Sequence, residues 1–236
     1  MIGRTLFNAR GAVAMLLLFA LVACGDNEPA QRKAFIEFLQ TRIIAKAGLH
    51  VPKLTAEETA SFGPYAKDYA VIADFNANLD RTVSTPLHQA IQAGAPRSLG
   101  EAVTRRQEIA AVANGLEAIR GALDQQLKVA DAAHAALKQP DDLKPVYDAA
   151  YARDVTMPAQ AMVEIFPDVD ETMKAILTLA DFLAEHKDKI KINGSTIEIN
   201  DAALQAPVAA MVDTVRAKNE AITKAQQKLN ALVTGG

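Results

Sequence analysis

Residues 98–138, SLGEAVTRRQEIAAVANGLEAIRGALDQQLKVADAAHAALK, decide the fold class. Ile109, Val112, Leu116, Ile119, Leu123, Ala130 and Leu137 fall on the a and d positions of a heptad, and Gln126 and Ala133 fill the remaining slots. Ser98-Leu-Gly-Glu101 has the spacing of a capping box, and Pro140 supplies the stop. The pattern predicts one long helix. Its apolar stripe is thin and rich in alanine, which predicts close antiparallel packing within the chain. Gly115 and Gly121 each weaken the helix by about 1 kcal/mol relative to alanine, which argues against a dimeric coiled coil.

Outward from that stretch the helical pattern continues in both directions. Residues 31–47 repeat Phe35, Ile36, Leu39, Ile43 and Ala47 at threes and fours before Gly48. Thr55-Ala-Glu-Glu58 is another capping-box spacing, and Gly63-Pro64 separates the helix it starts from the next. That next helix carries Tyr65, Tyr69, Ile72, Leu79, Val83 and Leu87, and Pro86 should kink or split it near its end. Downstream, Leu143 to Arg153 forms a shorter helix. Met157-Pro158 and Phe166-Pro167 then divide the next stretch into two helices, the second opening at Asp168, Asp170 and Glu171 and closing at His186 and Lys187.

One segment departs from the helical period. Ile190-Lys-Ile192-Asn193-Gly194-Ser195-Thr196-Ile197-Glu-Ile199 alternates apolar and polar residues around Asn-Gly, the signature of a β-hairpin. A lone hairpin is marginal in water, so its isoleucines must pack on a helix. The last helix starts at Asp201, with Val208, Met211, Val215, Ile222, Leu229 and Leu232 on its core face after Pro207. The predicted fold is therefore mainly α, an elongated antiparallel helical bundle with one β-hairpin near residues 190–199, and residues 31–236 form a single helical domain. Scarce aromatics (5%) and the absence of tryptophan agree with a bundle rather than a sandwich.

The N-terminus carries a different signal. Arg4 and Arg10 precede the apolar run GAVAMLLLFALVA (11–23), which ends in Leu21-Val22-Ala23-Cys24. The run is about 13 residues, short of the roughly 20 that a spanning helix needs. The arrangement resembles a bacterial lipoprotein signal: residues 1–23 would be cleaved and Cys24, the only cysteine, acylated. Three acyl chains would make a stable anchor where one holds only weakly. Residues 24–30 then form a lipidated tether. Gly25, rather than aspartate, comes after the cysteine, so the outer membrane is favoured over the inner, facing the periplasm. With its one thiol consumed the chain has no internal disulfide, and its fold rests on the core alone.

The formal charge is −3, and −5 without Arg4 and Arg10, which argues against nucleic acid or anionic lipid headgroups as partners. The four histidines, His50, His88, His134 and His186, include no i, i+4 pair and no HExxH motif. His134, between Asp131 and Lys138, is the best placed for proton transfer, but a helix surface supplies such neighbours anyway. Asp141-Asp142 and Asp168/Asp170/Glu171 sit where helices begin and lack calcium-loop spacing. The pairs Tyr65/Tyr69 and Tyr147/Tyr151 read as core edge or as the lining of a cleft. No catalytic, cofactor-binding or metal-ligating residue is assigned. The only assigned site is the lipidation site Cys24.

Three segments, QRKAFIEFLQ (31–40), FGPYAKDYAV (62–71) and ADAAHAALKQPDDLKPVY (130–147), resemble the YiaF-like family of bacterial envelope lipoproteins of unknown function. The resemblance covers most of the chain and implies an envelope location, with no activity or site residues to carry over. The expected function is a non-enzymatic binding or adaptor module of the envelope, held at the membrane by acyl chains on Cys24 and partnered by another envelope protein. The alternatives are a carrier or sensor of an apolar small molecule, and an envelope-polymer hydrolase using His134 or Asp141/Asp142.

Overall fold

The heptad stretch folds as a helix because one row of it has somewhere to go. In the computed structural model, which describes residues 27–193 and 196–235, Ile109, Leu116, Leu123 and Ala130 are buried at seven-residue intervals. Their d-position neighbours Val112 and Ile119 are half-buried. Each fully buried aliphatic side chain contributes roughly 1.5–3 kcal/mol of transfer free energy.

The described chain is mainly helical, with one two-stranded antiparallel hairpin. In order it contains α1 (Glu28–Phe38), α2 (Ala56–Phe62), α3 (Ala66–Leu79), α4 (Thr85–Gly94), α5 (Leu99–Thr104), α6 (Arg106–Ala136), α7 (Lys144–Tyr151), α8 (Met157–Glu185), β1 (Ile190–Asn193), β2 (Thr196–Ile199) and α9 (Ala202–Thr234). Single turns of π-helix extend α1 (Leu39–Ile44), join α3 to α4 (Asp80–Ser84) and join α7 to α8 (Ala152–Thr156). The 144–185 rod runs back along α6. His134 meets Asp148, Tyr151 meets Asp131, and Arg106 meets Asp181. α9 then returns antiparallel to α8, with Lys218 on Glu171 and Lys228 on Glu164.

Four local expectations are corrected. The helix begun at Ser98 is broken at Arg105 (φ −99°, ψ 14°), so α5 is a separate short helix. Its cap is half of a box: Ser98 Oγ accepts from the Glu101 N–H at 3.2 Å, but the Glu101 carboxylate accepts from the Arg97 N–H at 2.7 Å. The Thr55/Glu58 box is complete, with bonds of 2.8 and 3.0 Å. Residues 28–30, expected in the tether, form the first turn of α1, whose second residue is Pro29.

The fourth correction concerns proline. Neither Pro158 nor Pro167 ends a helix. At Pro167 the freed carbonyl belongs to Val163. Both residues lie on the exposed side of α8, where that carbonyl is open to solvent, while Ile165, Phe166 and Val169 stay buried and hold the helix together. Asp168 is consequently mid-helix and caps nothing. Pro158 is buried and comes after a π-turn, as half-buried Pro86 comes after the π-turn at Asp80–Ser84.

The hairpin pairs Ile190 with Ile199 and Ile192 with Ile197. Residues 194 and 195 of its turn lie outside the described residues. Ile190 is buried against Leu183 of α8 and Val208 of α9, and the other three isoleucines pack around that cluster.

Candidate functional site

α9 is the least embedded of the long helices. Of its thirty-three residues only Val208 and Ile222 are buried. The apolar residues Met211, Val215, Leu229 and Leu232 are half-buried, so α9 rests on the body without closing against it. A trough opens between α9 and α4, and α8 forms its floor.

Two cavities make up this trough. The first, of about 480 Å³, is lined by Leu87, Ile91, Met162, Ile165, Leu229 and Val233, with Asn76, Asp80, His88 and Asn230 among its polar groups. The second, of about 560 Å³, is lined by Ile91, Met173, Ile176, Leu179, Val212 and Val215, with Arg97, Arg216 and Asn219 beside them. Ile91 belongs to both. The floor residues run from Pro158 to Leu179, which at 1.5 Å per residue is about 32 Å. Mostly apolar walls with a few polar groups are the usual make-up of a small-molecule site.

His134 is the centre of a separate polar cluster. Its partner is not Asp131, as its position on the helix suggested, but Asp148 of α7, to which Nε2–H donates at 2.8 Å. Lys144 donates to the other Asp148 oxygen at 2.8 Å. Burial pushes the Asp148 carboxyl up, but the bonds from Lys144 and His134 outweigh it and hold it below the usual carboxylate range. The His134 ring stacks on Tyr151, with centroids 4.1 Å apart. Asp131 accepts instead from the Tyr151 hydroxyl at 2.7 Å.

The tyrosines are core edge, each with its hydroxyl bonded. Tyr69 donates to Pro52 O and Tyr147 to Asp68 O, both at 2.7 Å, and Tyr65 donates to Glu28. Burial pushes the Tyr65 hydroxyl up to about 12, and the Glu28 hydrogen bond adds to the rise. Asp142 pairs with Arg32 at 3.3 Å, and Glu171 with Lys218. Those contacts tie helices together. His88 accepts from the Gln92 amide at 2.8 Å, and His186 donates to Phe182 O at 2.9 Å. Among the described residues no group of three or more histidine, cysteine, aspartate or glutamate side chains is placed to hold a metal. Cys24 lies outside the described residues.

The most perturbed acid is one that sequence reasoning missed. Asp154, in the π-turn before Pro158, is completely buried, and neither carboxylate oxygen has a hydrogen-bond partner. Burial pushes its carboxyl up to about 7. The nearby His50 backbone N–H and the Arg153 guanidinium oppose the rise without closing a bond of good geometry. Arg153 itself is turned away, donating to Gly48 O at 3.0 Å and to Lys46 O. The available signal was an acid four residues before a proline at a helix junction, a position whose backbone must find an unusual partner.

The class defined by this architecture is a helical protein with an apolar trough along its last helix and polar clusters that brace its helices. The chain belongs to the family described as protein of unknown function, DUF3053, whose model matches residues 12–230. It is 29% identical over 213 residues to the uncharacterized protein YiaF of Escherichia coli strain K12, covering 90% of each chain. The YiaF proteins of Escherichia coli O157:H7 and Shigella flexneri match to the same degree. The likeness read in residues 31–40, 62–71 and 130–147 is borne out. No solved structure matches.

Proposed function

We propose that this protein is a lipid-anchored, non-enzymatic binding protein of the bacterial envelope, taking up an apolar small molecule in the trough beneath α9. The trough carries the reading. It is a long, mostly apolar concavity, and Ser84 and His88, which line its first cavity beside Asp80, turn to Met162 and Gln92 rather than to each other. The carrier reading therefore stands ahead of the protein adaptor. His134 and Asp142 are both engaged in contacts between separate elements, which weighs against the hydrolase reading.

The anchor rests on the run Leu21–Cys24 behind the apolar segment. α1 starts at Glu28, so three residues separate it from Cys24, at most about 10 Å of extended chain. That keeps the helical body at the membrane surface. No helix among the described residues is long and apolar enough to cross a membrane, so attachment depends on the lipid. Gly25 after the cysteine favours the periplasmic face of the outer membrane.

Two measurements test this. Metabolic labelling with radioactive palmitate should mark the wild type and fail on Cys24→Ser; unchanged labelling ends the anchor reading. An apolar fluorescent probe, N-phenylnaphthylamine, should brighten on binding the wild type and lose most of that signal in Ala95→Trp, which plugs the trough. Equal brightening in both places the binding elsewhere.

A further inference from the structure

We propose that the trough holds a single-chain anionic amphiphile, its head group between Arg97 and Arg216 and its acyl chain lying along α8 past Ile91. This rests on the binding reading above and adds the ligand's chemistry and direction.

The charge distribution sets both. The second cavity is lined by two arginines and by no aspartate or glutamate. Among the described residues Arg97 makes no ion pair, and its side chain is exposed. Arg216 pairs only with Asp213, three residues earlier on the same helix, with both side chains about 70% exposed. Such a pair contributes little and is readily exchanged for a bound anion. Two guanidiniums present planar donor sets suited to a carboxylate or a phosphate. Asn219 adds a neutral polar group beside them.

The other end carries the opposite sign. Asp80 lines the first cavity, where no lysine or arginine is found. An anionic head is repelled there, so the tail must point toward Leu87, Met162 and Ile165. The two cavities share Ile91 in their lining and both lie along α8, so one acyl chain laid past Ile91 would reach from one to the other. Met162 and Met173, one in each cavity, are flexible and adapt to chains of different length. A free fatty acid and a lysophospholipid share this chemistry.

The test uses the full-length lipidated chain in lipid nanodiscs and three diazirine-bearing probes: a fatty acid, a lysophosphatidylglycerol and the matching uncharged fatty alcohol. After irradiation, crosslinked peptides are mapped by mass spectrometry. At least one anionic probe should label the peptides bearing Ile91, Met173 or Ile176, and which of the two does so identifies the source. The double variant Arg97→Glu/Arg216→Glu should lower that labelling at least tenfold while leaving the alcohol's unchanged, and Arg97→Lys/Arg216→Lys should restore most of it. Unchanged circular dichroism identifies variants that remain folded. Equal labelling by acid and alcohol, insensitive to charge reversal, overturns the amphiphile while the apolar binding site stands. Absence of trough labelling by all three probes overturns both.

Discussion

The side-chain amide of Asn76 donates to the backbone carbonyl of Asp154 at 2.8 Å, and a second donation from the same nitrogen reaches Ile72 O at 2.9 Å. The Asp154 carbonyl is the one that an N–H at position 158 would take in an α-helix, and residue 158 is proline. One asparagine on α3 thus repairs the opening made by a buried proline and lets the 144–185 rod pass through it unbroken. Asn76→Ala should strand that acceptor and cost about 1–3 kcal/mol, seen as a lower urea midpoint. Asn76→Asp should be no better, because a carboxylate cannot donate. A midpoint unchanged in both would show that another donor serves the carbonyl.

Asp154 makes stability depend on pH in an unusual sense. Its carboxyl is raised from 3.8 to about 7 in the folded chain, so between those values the folded state holds a proton that the unfolded state has lost. Stability then falls as pH rises from about 4 to 7, and above 7 it stays lower by a few kcal/mol. Asp154→Asn should raise the melting temperature at pH 8 more than at pH 5. Parallel melting curves for the two proteins across that range would contradict this.

Gly48 and Gly235 meet backbone to backbone. Gly48 has φ +70° and Gly235 φ +93°, and the Leu49 N–H donates to Val233 O at 3.0 Å. A Cβ on Gly48 would collide with the Val233 carbonyl and lie 2.8 Å from the Thr234 carbonyl carbon, both backbone atoms that cannot swing aside. Gly48→Ala should therefore cost more than the ~1–2 kcal/mol of a left-handed alanine alone. Hydrogen exchange at the Leu49 amide should accelerate markedly. Protection equal to the wild type's would exclude this contact as a support.

Gly115 and Gly121 behave oppositely. A Cβ at either meets nothing within 4 Å, and both residues are exposed in the middle of α6. Gly115→Ala and Gly121→Ala should each stabilise by about 1 kcal/mol, additively, as read from denaturant midpoints. A loss of stability would indicate a contact on this face of α6 beyond those within the chain.

Gly94 borders the trough. A Cβ there would overlap the Met173 methyl and come within 2.7 Å of its sulfur, both at the end of a flexible side chain. Gly94→Ala should displace that end into the second cavity. Stability should change little, while N-phenylnaphthylamine binding weakens several-fold. Unaltered binding would mean that Met173 turns elsewhere.

These residues also show what periodicity could reach. Ile109, Leu116, Leu123 and Ala130 were legible because a seven-residue spacing is a property of one strip of sequence. The isoleucine alternation around Asn193 was legible for the same reason, and so was the Thr55 cap. Proline was misread because its effect depends on what lies across from it. Pro158 looks like a terminator until Asn76, distant in sequence, is seen to supply its missing donor. The trough left almost no trace, since Arg97 and Arg216 are unremarkable as residues and become a pair only when α9 folds back over α5. The pairing of His134 with Asp148 instead of Asp131 was out of reach, because neighbours along one helix are visible in sequence and neighbours across two are not.

The union of Gly48 and Gly235 bears on how the trough can work. α9 begins at the packed hairpin cluster around Val208 and ends at this glycine junction, and between them Ile222 is its only buried residue. A beam held at both ends and by Ile222 near its middle cannot hinge away from its support; it can only flex in the two spans on either side of that residue. Under the proposed binding, entry beneath α9 would be sideways and one end at a time, which favours a slender, threadable guest over a bulky one. The same pinning ties the first segment of the described chain to the last, so a pull on that first segment is felt directly at the end of α9.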